Sequence, residues 1–167
     1  MISLLDPRFI YTFQCIGLDG QVRWEWTQGN LIPTQGRDYI EAAAMRGGSQ
    51  FSTWYISLYS GSYTPQLTDT AANYAANATE ITTAYSEASR QVLTPDAAGS
   101  GSYVNVGSPA VFTFTADTTI RGGGIHSNAV KGGTTGILLS IVAAPAPKPV
   151  ANGEQLRVIA GLSLASS

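Results

Sequence analysis

Charge is scarce in this chain: only 12% of its 167 residues are Asp, Glu, Lys or Arg, about half the share usual for a soluble domain. Its surface is therefore built mainly from neutral, hydroxyl-bearing side chains. Two lysines, Lys131 and Lys148, and a net charge of −2 cannot neutralise a run of phosphates, so neither nucleic acid nor an anionic membrane surface is expected as a partner. A single cysteine, Cys15, excludes an internal disulfide and paired-cysteine zinc sites. One histidine, His126, leaves too few nitrogen ligands for a transition-metal centre, and no cofactor is expected. Long apolar runs are missing too. The longest, Ile137 to Ala146, is broken by Ser140 and Pro145 and reaches about half the length that crosses a bilayer. Met1 to Arg8 lacks the basic-then-apolar pattern of a secretory signal.

What is present is β-forming sequence punctuated by glycine. Phe9 to Gly17 is rich in Ile, Tyr, Phe and Thr, Asp19-Gly20 is a hairpin signal, and Val22, Trp24 and Trp26 then alternate with polar residues. This predicts a ribbon with one aromatic face. Arg37 to Met45 and Thr68 to Asn77 carry good helix formers, the second with Thr68 or Asp69 able to cap its first amides. Between them, Phe51 to Tyr59 reads as a strand with Trp54, Ile56 and Leu58 on its core face. Ile81 to Ala84 reads as irregular and Ser89 to Leu93 as a short strand.

From Ala97 onward, apolar runs recur at intervals of about ten residues: 103–106, 110–116, 118–125, 136–142 and 154–162. No segment there could supply a helical crossover, so antiparallel pairing is expected. Phe112 and Phe114 should face inward. Gly122-Gly-Gly124 and Gly132-Gly133 mark bulges or turns within the sheet. The predicted fold is a single mainly β domain over 1–167, an antiparallel β-sandwich (jelly-roll-like or related) with one or two short helices between Arg37 and Asn77. Extended arms are expected at 1–9 and at 143–150, where Pro145, Pro147 and Pro149 cannot donate to a ladder.

Catalytic patterns are thin. His126 is the one imidazole available as a general base, no Gly-x-Ser-x-Gly elbow occurs, and His126 reads as a structural residue. Glu80 and Glu87 are the least implausible pair of acids for glycoside hydrolysis, but neither stands in a recognisable context. The triglycine lacks the Lys-Ser/Thr ending of a phosphate loop, and Asn77-Ala-Thr79 fits a glycosylation acceptor by pattern alone. Trp24, Trp26, Tyr55, Tyr59 and Tyr63 could stack on sugar rings, but they read more simply as core and protein-contact residues. The expectation is a protein that is not an enzyme.

An ordered set of segments resembles small structural proteins of tailed bacteriophages. It comprises Asn30-Leu-Ile-Pro-Thr-Gln-Gly-Arg37, Trp54-Tyr-Ile-Ser-Leu58, Pro65 with Asp69-Thr-Ala71, and Glu80 followed by Tyr85-Ser and Arg90-Gln91. Pro109-Ala-Val-Phe-Thr-Phe-Thr115 and Lys131-Gly-Gly-Thr-Thr-Gly136 complete it. Phe9 to Trp26 lies outside the match. Gly153-Glu-Gln-Leu156 carries glutamate where that group usually has aspartate. The resemblance implies a head or head-proximal virion component, assembled in the bacterial host cytoplasm. It further implies a capsid decoration or cement protein on the capsid surface that contacts the major capsid protein and self-associates as a dimer or trimer. Trp24, Trp26, Pro145 and Pro147 are the interface candidates, with Met1 to Phe9 as a further reaching segment. A tail, collar or head-to-tail connector component, or a carbohydrate- or receptor-binding module, is the alternative.

Overall fold

The computed structural model describes residues 9–97 and 102–163. Nine strands and two helices follow in the order β1 (Phe9–Ile16), β2 (Val22–Gly29), α1 (Thr34–Met45), β3 (Trp54–Tyr59), α2 (Ala71–Ala78), β4 (Gln91–Leu93), β5 (Ser102–Val104), β6 (Ala110–Thr113), β7 (Thr118–His126), β8 (Leu138–Val150) and β9 (Gln155–Ser163). Two antiparallel sheets form a sandwich. One has the order β2-β1-β9, with β5 and β6 both pairing along the far side of β9; the other has the order β4-β3-β7-β8. The expected arm at Met1 to Arg8 lies outside the described residues.

Alternation builds the core between the sheets. Phe9, Tyr11, Phe13 and Cys15 alternate as buried members of β1, joined by Ile16 at its end, and Phe13 stacks on Trp26 at 4.1 Å between ring centroids. Across from them lie Trp54, Ile56 and Leu58 on β3 and Ile120 and Ile125 on β7, with Phe112 and Phe114 at 0% and 1% exposure closing the side. The inward settings expected for Trp54, Phe112 and Phe114 are therefore present.

The second face of β3, which sequence alternation alone would leave polar, is also buried. Ser57 and Tyr59 are both 0% exposed, because α2 packs on the outer face of that sheet. A smaller core of Tyr59, Ala71, Tyr74, Ala78, Leu138 and Ile141 fills the space between them. Three layers result: sheet, sheet, helix.

The triglycine lies within the central strand β7, beside the register irregularity between Ile120 and Gly122, in keeping with its reading as a bulge. Rings press on it from both faces. A Cβ on Gly122 would collide with the Tyr59 ring and the Val142 carbonyl, and one on Gly123 would lie 2.6 Å from the Ser57 carbonyl oxygen and 3.2 Å from the Phe13 ring. Only glycine leaves the backbone open to such approach.

Element boundaries moved where packing overrode local preference. Helix α1 begins at Thr34 rather than Arg37 and contains Gly36, a poor helix former; a side chain there would strike the Leu139 carbonyl. Helix α2 begins at Ala71, with Thr70 extended and its N–H donating to Asn73 Oδ1 at 2.8 Å. The 143–150 segment, expected as an arm, forms the second half of β8: Pro149 and Val150 stand opposite Thr119 and Thr118. Its prolines are tolerated because β8 is the edge strand of its sheet. Within it, Ala144 to Pro147 oppose the single residue Arg121 as a wide bulge.

Candidate functional site

Three elements bring a serine, a tyrosine and the histidine together. Ser57 points outward from β3, His126 ends the neighbouring strand β7 on the same face, and Tyr74 reaches down from α2. Ser57 Oγ donates to Tyr74 Oη at 2.7 Å and lies 2.8 Å from His126 Nε2. Serine has one proton to give; once donated to Tyr74, it leaves Nε2 as the donor to Ser57 and Nδ1 with a bare lone pair. Nδ1 has no partner among the described residues. Burial, reinforced by the charge of Arg90, holds the imidazole pKa well below the ordinary histidine range, and burial lifts the Tyr74 phenol well above its own.

This network is neutral and sealed. Ser57, Tyr74 and His126 are each 0% exposed, and no carboxylate among the described residues bonds His126. A serine nucleophile needs an imidazole that accepts its proton and a third group that orients the ring. In this arrangement the imidazole donates, and no described side chain bonds its second nitrogen. What the cluster does is fasten α2 to its sheet.

The acids expected as a possible pair are held apart by separate partners. Glu80 forms a fully buried bidentate pair with Arg90 at 2.8 and 2.6 Å, and Arg90 also reaches the carbonyls of Asn128 and Gly133. Glu87 accepts the Thr113 N–H at 3.0 Å. The Glu80–Arg90 pair ties loops to one another, and Glu87 ties its loop to β6. Among the described residues no group of three or more His, Cys, Asp or Glu is placed to hold a metal ion, and no helix is long and apolar enough to cross a membrane.

The interface candidates are divided between interior and surface. Trp26 is 6% exposed, part of the core. Trp24 is partly buried, and its Nε1 donates to the Pro149 carbonyl at 2.8 Å, joining the β1–β2 ribbon to β8. Pro145 and Pro147 are exposed on the β8 bulge. Nor do the five candidate stacking aromatics share a face: Trp26 lies between the sheets and Tyr59 beneath α2, while the Tyr63 hydroxyl donates to Asp69.

Two surface features escaped sequence reasoning. At one end of the sandwich, Phe9, Tyr39, Ile40, Trp54, Leu139 and Leu162 line an apolar hollow of about 210 Å³. Beside it Phe51, 44% exposed, packs edge-on to Trp54 with centroids 5.7 Å apart. Near the β8 bulge, Arg121, Tyr63, Pro145 and Pro147 line a cleft of about 230 Å³. The hollow collects one or two residues from each of several elements, a pattern no local period reveals. A signal for the cleft does exist in sequence: an arginine amid apolar and glycine residues, and an Ala-Pro-Ala-Pro run that can bulge.

No protein-family model matches the chain, and no curated protein matches it either.

Proposed function

We propose that the protein is a virion structural component, a capsid decoration or cement protein that binds across neighbouring major-capsid subunits and acts by adhesion rather than by catalysis. The observation that carries this reading is how polarity is distributed. Ser57, Glu80, Arg90 and His126 are buried and engaged with one another or with backbone, and the half-buried Glu87 accepts the Thr113 N–H. Meanwhile Tyr39, Phe51 and Trp54 gather around an apolar hollow at the surface. Aromatic area of this kind anchors protein contacts. Many copies, each burying modest apolar area across a joint, together resist opening of a closed shell. The resemblance to small phage structural proteins supports the same reading.

Stoichiometry tests it. Quantitative mass spectrometry of purified particles that carry the protein is expected to count tens to hundreds of copies, and heating should open particles lacking it at a lower temperature. About six or twelve copies would overturn decoration in favour of a connector or tail role. Specific glycan capture by the isolated protein would favour a carbohydrate module instead.

A further inference from the structure

The cleft at the β8 bulge is a built recess around one cation. Among the described residues Arg121 is the only charged side chain that lines it, and it makes no side-chain hydrogen bond or ion pair with another of them. Arg23 instead holds Glu154 and Arg90 holds Glu80, while Arg157 on β9 is exposed to solvent rather than set in a recess. Arg121 is partly buried, so part of its hydration is lost without a protein partner in return. Its placement follows from the backbone. Four residues of β8, Ala144 to Pro147, bow out opposite this one position, and bulges commonly re-aim a side chain in this way.

The walls narrow the chemistry. Ala143, Pro145 and Pro147 present hydrocarbon on one wall, while Ser62 and Thr64 bring hydroxyls to the other. The Tyr63 hydroxyl is already given to Asp69. A dianion such as phosphate would meet a single cation, which balances only part of its charge. A carboxylate on a short methylene stem matches better, because its two oxygens suit the paired N–H groups of a guanidinium and its stem suits the prolines.

The geometry points to the Arg121 cleft as a carboxylate-binding subsite that receives an Asp or Glu side chain of the partner surface. The identity of that surface rests on the adhesion reading above; the carboxylate preference does not. Pro145 and Pro147 then serve as the rim of the contact.

The full chain, labelled with nitrogen-15 at arginine, is titrated with butyrate, inorganic phosphate and chloride at equal ionic strength while the Arg121 Nε–H resonance is followed. Butyrate should move it saturably, phosphate and chloride no more than they move the exposed Arg157. An unmoved Arg121, or phosphate acting as strongly as butyrate, overturns the subsite. In parallel, particle binding is compared for the native protein, Arg121→Gln and Arg121→Lys. Arg121→Gln should weaken binding about tenfold or more, and Arg121→Lys should restore it only in part, with unchanged melting temperatures for both. Full binding by Arg121→Gln overturns the role of a partner's acid. Failure of the native protein to bind shells at all would instead remove the adhesion reading, and the titration still decides the subsite.

Discussion

At Ser57 one hydroxyl serves two rings, and the cost of removing it follows from what it leaves behind. Ser57→Ala strips the buried Tyr74 hydroxyl and His126 Nε2 of their shared partner. The expected loss is about 1–3 kcal/mol of unfolding free energy, read by urea denaturation, with Tyr74→Phe costing less because it leaves the Ser57–His126 bond intact. His126 also predicts an acid limb. Its pKa is depressed in the folded protein by burial, then by Arg90, whereas the unfolded chain titrates near about 6.5. The unfolded state therefore binds more protons as the pH falls below that value, and stability declines by up to about 1.4 kcal/mol per pH unit. Above about pH 7 the contribution is full and flat. Denaturant midpoints from pH 7 down to 5 should show this slope, and His126→Asn should flatten it. At lower pH a second loss joins it: hydrogen bonding from Arg23 holds the Glu154 carboxyl below its ordinary range, and that stabilisation disappears as the pH falls through the folded pKa. Cys15 is the inert counterpart. Burial, aided by the charge of Glu154, pushes its thiol up to about 12, so iodoacetamide should label it only in denaturant.

At the scale of elements, β7 is the strand on which the layers depend. It pairs with β3 on one side and β8 on the other, and its triglycine admits rings from both faces. Gly123→Ala must displace the Ser57 carbonyl or the Phe13 ring, an overpacking expected to cost about 1–3 kcal/mol in thermal or chemical unfolding. The β8 bulge should behave in the opposite way. Deleting Pro145, Ala146 and Pro147 leaves one residue opposite Arg121 in place of four, so the sheet is expected to keep a single cooperative transition while the cleft disappears. Circular dichroism through a melt, with the arginine titration repeated, checks both halves of that expectation. Much of this level is legible in sequence. Alternation placed β1, β3 and β6 close to their observed spans, because each has an inward face of consistent parity, whereas β7 was legible only as an apolar, glycine-rich run, since its irregularity after Ile120 puts Ile120 and Ile125 in one core despite opposite parity. The start of α1 was not legible, since Gly36 argues against a helix until Leu139 is seen to require a residue without a side chain.

For the whole molecule, the sandwich shields one set of polar groups and displays another set of apolar ones. Adhesion through such a surface predicts self-association: sedimentation of the purified protein is expected to give a dimer or trimer, and a strict monomer both in solution and on the particle would count against the adhesive reading. Trp24 and Trp26 show how interior and interface separate only at this level. Both share one face of β2, but Trp26 meets Phe13 within the core whereas Trp24 reaches the edge strand β8.

The sequence by itself determined the class of fold, because period-two burial, glycine spacing and the absence of crossover helices are local properties that need no partner to be read. It also bounded the chemistry, through one histidine, one cysteine and few charges. Which polar groups meet was decided only by the tertiary structure. Ser57 and His126 stand 69 positions apart and touch because of the β3–β7 register, and parity assigns a face to a side chain but not a neighbour. Arg121 likewise became a recess only when β8 bowed away from it.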